Sequence, residues 1–262
     1  MLIRKFGEAI ILYPLIVLMV ATNGSSAPRR MEVVAKDAAL QPVAEESAYD
    51  PLAPKIRLNA HAVKFVADYG KKNAEDLELA RRRSTQCFTM MDSLLNLYSV
   101  PRELKYLAVV ESNLDTKAVS QVGAVGPWQL MPTTAKILGL KVTRRYDERM
   151  NYNKSTLAAA KYLRDLHAEF GDWLLVVAAY NSGPGPVYTA MEKSGSHNFW
   201  KMQQYLPEET RAHVKRFIGT HYYFEGKGSV ATLTKSELNQ YNKAVASYNE
   251  KKTVAAKEKT KK

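Results

Sequence analysis

Between residues 55 and 226 apolar side chains recur at intervals of three and four, and no series of alternating strands appears. That patterning restricts the fold more than any other feature, because such a segment must pack helix on helix. Leu104, Leu107, Ala108 and Glu111 share one face of an expected helix, with Pro101 near its start. A second helix is expected over 155–170, with Leu163, Leu166 and Phe170 on one side and Gly171 as its stop. Asp172 is a natural N-cap for a third helix over 173–180. That last apolar run reads as a buried strand on periodicity alone; its helical neighbours and the Asp cap favour helix. The expected class is mainly α, with at most a small β-sheet.

The flanks differ in character. Arg4 and Lys5 precede an apolar run of 13 residues over 9–21, short of the ~20 that a spanning helix needs. Small and polar residues follow, and Ser25-Ser26-Ala27 resembles a cleavage site, so residues 1–27 read as an export signal. Pro28 disfavours cleavage there, which leaves an uncleaved N-terminal anchor in the inner membrane as the other reading. Both place the remainder outside the cytoplasm, in the periplasm or cell envelope. Residues 28–54 carry Pro28, Pro42, Pro51 and Pro54 without a sustained period and read as a linker. The globular part is expected over 55–226. Within 227–262, Thr234-Lys235-Ser236-Glu237 fits a capping box, and Leu238, Tyr241, Val245 and Tyr248 recur at helical spacing before a basic tail.

Composition narrows the chemistry. The single cysteine, Cys87, excludes an intramolecular disulfide and a cysteine-based zinc site, and reads as a small buried residue. None of the five histidines forms a close metal-ligand pair, so no metal or other cofactor is expected. Lysine and arginine number 38 against 26 acidic residues, a net charge of +12 that suggests an anionic partner. Six of the lysines lie in the tail over 250–262, and no recognition-helix or aromatic-basic pattern accompanies them. No nucleic-acid partner is therefore expected.

Glu111 stands out as an acid that continues an apolar stripe at a helix end, before the turn-like Ser112-Asn113-Leu114-Asp115. Burial and the negative end of the helix dipole both disfavour its charged form, which suits a general acid. The plainer alternative is a glutamate paired with an Arg or Lys at a helix end. A segment from Gly123 to Thr133 then sets Gly123, Gly126, Pro127 and Pro132 around Trp128, Gln129 and Met131. Glycines let backbone approach a ligand. Gln129 offers hydrogen bonds to a sugar, and Trp128 and Met131 offer apolar surface. A tight turn packed on the core is the alternative, above all for Trp128. Further on, Tyr180-Asn181 ends a helix ahead of Gly183-Pro184-Gly185, which places two polar groups at a cleft edge or simply caps the helix.

Together these segments resemble the lytic transglycosylases with a lysozyme-like catalytic domain, the membrane-bound D type in particular. The matching residues are Glu111-Ser112, the Gly123 to Pro132 stretch, and Ala179-Tyr180-Asn181 with Gly183-Pro184-Gly185. Their order and spacing agree as well, with Ser120, Gln129 and Met131 lying 9, 18 and 20 residues after Glu111. The resemblance spans about residues 60–226. It implies a lysozyme-like helical domain that cuts the β-1,4 bond between N-acetylmuramic acid and N-acetylglucosamine in peptidoglycan. Glu111 would act first as acid and then as base, forming a 1,6-anhydro ring. It also implies that Ser120, Gln129, Met131, Tyr180 and Asn181 line the cleft, and that Ser112 steadies the loop after Glu111. One acid suffices for such an intramolecular attack, whereas ordinary glycosidases use two.

One position departs from the pattern. Where the family carries a tyrosine near the catalytic acid, this chain has His213, within Leu206-Pro207-Glu208-Glu209-Thr210-Arg211-Ala212-His213-Val214. A histidine there donates a hydrogen bond and adds a titrating group, signals altered substrate choice or activity, or is a tolerated substitution. The basic tail is either drawn to the anionic wall or merely solvated. A lysozyme-type hydrolase and a wall-binding protein without activity are the competing functions.

Overall fold

The computed structural model describes residue 50 and residues 52–259. The expected export segment over 1–27, and most of the expected linker, lie outside the described residues. Eleven α-helices follow one another among the described residues: α1 (Ala60–Lys72), α2 (Ala74–Ser84), α3 (Phe88–Leu97), α4 (Tyr106–Ser112), α5 (Pro132–Ile137), α6 (Tyr152–Phe170), α7 (Trp173–Ser182), α8 (Pro184–Ser194), α9 (Phe199–Met202), α10 (Glu208–Glu225) and α11 (Lys235–Lys259). The expected small sheet is reduced, among the described residues, to isolated bridges joining Val119 to Val125, Val125 to Leu130 and Val142 to Asp147.

Helix α7 is the hub. Residues 173–179 are all buried, so this helix is apolar on every side and must be wrapped by others. Helices α6, α8 and α10 do so, while α10 also packs on α1 and α4, and α3 on α6. Asp172 caps α7 as expected, its Oδ1 accepting from Leu174 N at 2.9 Å and Leu175 N at 3.3 Å. The helix runs two residues beyond Tyr180, to Ser182, because nothing breaks it before Gly183. Gly183 has φ 78° and also N-caps α8, whose first residue is Pro184. The expected Gly-Pro-Gly turn is thus a direct junction between two helices. Likewise α6 starts at Tyr152, not at 155, because the Asn151 side chain accepts from Lys154 N and starts the helix early.

The helix carrying Glu111 is shorter than its apolar stripe suggests. Arg102–Lys105 is a 3-10 turn and α4 begins only at Tyr106. Leu104, Leu107 and Ala108 are nonetheless fully buried, so the inward face continues across the change of pitch. Cys87 is buried, and burial pushes its thiol up to about 11, which keeps it protonated and inert at neutral pH.

Residues 227–259 are not set apart from the helices before them. Ala231, Leu233, Thr232 and Thr234 are buried. The capping box forms, with Thr234 N donating to Glu237 Oε2 at 2.8 Å and Glu237 N donating to Thr234 Oγ1 at 3.4 Å. Lys235 N donates to Asp172 Oδ2 at 2.6 Å, so one carboxylate ties the starts of α7 and α11 together. The end of α11 is exposed over residues 250–258 and remains helical through that basic stretch.

Asp172 makes stability depend on pH. Burial pushes its carboxyl up to about 6 from an ordinary 3.8, against the lowering effect of its three backbone N–H donors. The ionised form is therefore disfavoured in the fold relative to the unfolded chain. Its contribution to stability is full below pH 3.8 and is lost as pH rises through about 6. The expected loss is on the order of 3 kcal/mol. Urea titrations at pH 4 and pH 7 should show wild type losing ground to Asp172→Asn as pH rises. A wild-type-to-variant difference that does not change with pH would contradict this.

Candidate active site

Glu111 occupies the last turn of α4 and keeps 17% side-chain exposure. The chain reverses just beyond it, with Asn113 at φ 51° and Leu114 at φ 62°. Several groups hold this reversal. Ser112 Oγ donates to Pro127 O at 3.0 Å and accepts from Asp115 N at 3.1 Å. Arg83 donates to Asn113 O at 3.0 Å, and Tyr152 OH donates to Leu114 O at 2.5 Å. Asp115, the nearest second acid in sequence, pairs with Arg83 at 3.3 Å and accepts from Lys117 N at 2.8 Å. It is a structural carboxylate.

The glycine-containing loop faces this turn through Pro127. Ser120 closes it: its N–H donates to Ala124 O, and its Oγ accepts from Ala124 N, both at 2.9 Å. Arg149 laces the loop from beneath. It is 5% exposed, grips Asp147 through Nε and Nη2, and donates from Nη1 to Gly123 O at 2.9 Å and Leu130 O at 2.8 Å. Gln129 adopts φ 43°, and its side-chain N–H groups donate to Ala118 O at 3.2 Å and Gly126 O at 2.9 Å. Both amide donors are spent inside the loop, which leaves Oε1 to meet a ligand. Trp128 takes the alternative expected for it above all, a place in the core. It is fully buried, with its indole N–H on Thr156 Oγ1 at 2.9 Å, and offers no surface to a sugar. Met131 is 42% exposed at the N-cap of α5, as a cleft-lining side chain would be.

Helices α7 and α10 supply the facing side. Tyr180 OH donates to Trp128 O at 2.7 Å, joining α7 to the loop. Burial first, and then the charges of Glu111 and Tyr162, hold its phenol well above the ordinary value, so it stays a donor. Thr210 Oγ1 donates to Asn181 Oδ1 at 2.9 Å, which fixes Asn181 against α10. One turn further along α10, His213 is 2% exposed and sets Nε2 2.9 Å from Glu111 Oε1. The partner of Glu111 is this imidazole, not the Arg or Lys of the plainer alternative.

The structure thus brings Glu111, Ser112, His213 and Tyr180 together, with Asn181 linked to His213's helix through Thr210. Ser120 and Met131 share the loop, but neither makes a hydrogen bond to Glu111. Arg149, Thr156, Tyr152 and Thr210 also position the site, though the sequence assigned none of them a role. Only Thr210 carried a usable signal, lying three residues before His213 on one helix face. Other cavities lie away from this cluster. One of about 610 Å³ beside α11 is lined by Asp172, His197, Asn198 and Lys235 and includes none of the Glu111 cluster. No group of three metal-binding side chains occurs among the described residues.

Residues 93–203 match the family model of the transglycosylase SLT domain. That stretch contains every residue of the cluster except Thr210 and His213. Over 125 residues the chain is 42% identical to membrane-bound lytic murein transglycosylase D of Escherichia coli strain K12, covering 46% of this chain and 27% of that protein. It is 30% identical over 125 residues to the soluble lytic murein transglycosylase of Salmonella typhimurium strain LT2, covering 45% of this chain and 19% of that one. Among solved structures, the 70 kDa soluble lytic transglycosylase of Escherichia coli aligns with a TM-score of 0.47 and 25% identity, over 55% of this chain and 26% of that one. The chain therefore spans about a quarter of the length of the relatives it matches first.

Proposed function

We propose that this chain, which carries an SLT domain match around Glu111, is a peptidoglycan lytic transglycosylase of the cell envelope. The substrate is the glycan strand, and the bond cut is the β-1,4 link from N-acetylmuramic acid to N-acetylglucosamine. Glu111 gives its proton to the leaving oxygen as the bond to C1 breaks. The muramyl 6-hydroxyl oxygen then bonds to C1, and its proton returns to Glu111. The products are a 1,6-anhydromuramyl end and a new N-acetylglucosamine 4-hydroxyl. No water is consumed and the acid is regenerated. Gln129 Oε1, the Asn181 amide N–H groups and the Met131 thioether are the groups left to meet the sugar.

The observation that carries this reading is the contrast between Glu111 and the acid that follows it in sequence. Glu111 sits partly buried against His213, while the next acid, Asp115, is committed to Arg83. A hydrolase of the usual kind needs a second carboxylate to serve as nucleophile or to activate water. An attack from within the substrate needs only one group to move the proton both ways. Localisation in the envelope, with glycan strands as partner, follows from the same reading. Among the described residues no helix is long and apolar enough to cross a membrane.

Mass spectrometry of sacculi digested by the full chain tests the proposal. Anhydro-muropeptides are the expected product. Reducing ends would show a hydrolase instead, and glycan binding without any released muropeptide would show a wall-binding protein.

A further inference from the structure

Glu111 makes one side-chain hydrogen bond among the described residues, from Oε1 to His213 Nε2 at 2.9 Å. Oε2 makes none, and the side chain keeps 17% exposure. The other imidazole nitrogen, Nδ1, is buried and has no hydrogen-bond partner among the described residues. Resting on the proposed cleavage, we infer that His213 is a positioning residue that fixes Glu111 Oε1 as an acceptor and so leaves Oε2 as the oxygen that carries and transfers the proton.

If Glu111 were to donate from Oε1 to Nε2, the ring proton would have to sit on Nδ1. A doubly protonated ring would place one there as well. Either state leaves a buried N–H without an acceptor, the rarest kind of orphan in folded proteins. Only the tautomer with its proton on Nε2 avoids this, and that tautomer makes Oε1 an acceptor in either charge state of Glu111. When Glu111 is the acid, its proton must then be on Oε2.

Nearby donors do not compete for the carboxyl. The Tyr180 hydroxyl is spent on Trp128 O, and the Thr210 hydroxyl on Asn181. The carboxyl is thereby made asymmetric before substrate arrives. A symmetric carboxyl would divide its proton between two oxygens and rotate between them. This one presents a single reactive oxygen, which suits a group that must give a proton to one sugar oxygen and recover it from another.

Two measurements test this. On purified uncrosslinked glycan strands, His213→Phe is expected to lower kcat by about tenfold to a hundredfold with KM changed by no more than about twofold. His213→Gln, which returns an N–H near the position of Nε2, is expected to recover most of that loss. Phe at wild-type turnover, or Gln as impaired as Phe while melting like wild type, overturns the inference. Nitrogen-15 NMR of histidine-labelled wild type reads the tautomer directly and needs no variant to fold. A proton on Nε2 and a bare Nδ1 are expected at neutral pH; a protonated Nδ1 overturns the inference. This second measurement is independent of cleavage. A chain with the expected tautomer that releases no muropeptide would defeat the proposed function and leave the Glu111–His213 arrangement standing.

Discussion

Glu111→Gln is expected to reduce release of anhydro-muropeptides by on the order of a thousandfold while the chain still folds and still binds glycan. Glutamine keeps the shape of the side chain. Its carbonyl oxygen still accepts from His213 Nε2, so the contact between α4 and α10 at 2.9 Å survives. What disappears is the group that gives up and recovers a proton. No neighbour replaces it: Asp115 is held by Arg83, and burial alone still holds the Tyr180 phenol above its ordinary value. Turnover of sacculi and retention on them in a pull-down, measured on the same preparation, separate chemistry from binding. A variant that cuts as fast as wild type would mean that Glu111 is not the acid. One that neither cuts nor binds would mean that the substitution has damaged the groove.

Gly126→Ala is expected to be among the most destabilising single changes in the chain, at about 4 kcal/mol or more. Gly126 has φ 81°, and a Cβ built there would lie 2.0 Å from the carbonyl oxygen of Arg149 and 2.7 Å from its carbonyl carbon. The obstacle is backbone, so no side-chain rotation relieves it. Nor can Arg149 retreat, because its guanidinium holds Asp147, Gly123 O and Leu130 O at once. Displacing it strips two loop carbonyls of their donor and leaves a buried charge poorly paired. Gly123 supplies the control. Its φ is 86°, but nothing lies within 4 Å of an added Cβ, so Gly123→Ala carries only the left-handed backbone strain, about 1 kcal/mol. Urea midpoints of the two variants should differ accordingly. Equal losses would show that the close approach to Arg149 is not what requires glycine at 126. Cleavage should fall with Gly126→Ala as well, since Pro127 O and Trp128 O anchor Ser112 and Tyr180.

Much of the helical plan was legible beforehand for a local reason. Asp172 sits directly before an apolar run, and its carboxylate can reach the first free N–H groups of a helix whatever the rest of the chain does. The capping box at Thr234 formed for the same reason. The misjudged details are those in which a neighbour outside the local window had a say. Residues 102–105 tighten into a 3-10 turn, with Lys105 Nζ held by Asp92 Oδ1 at 2.7 Å. Asp172 also turned out to hold Lys235 N, 63 residues away, which no cap motif announces. For Trp128 the core was the favoured reading, and it holds; what the sequence did not name is Thr156, on α6, which receives the indole N–H.

From the order of residues alone came the helical class, the inward face of α4 and the suspicion attached to Glu111, since side-chain periodicity and capping act over a few residues. Which atoms meet Glu111 came from packing. His213 lies 102 residues away in sequence, and Tyr180 reaches Trp128 across 52. A pattern states which side of a helix turns inward, but not how far that helix slides or rotates against its neighbours. Contacts of 3 Å are set by that sliding, and it is settled only when α4, α7 and α10 close together around a common core.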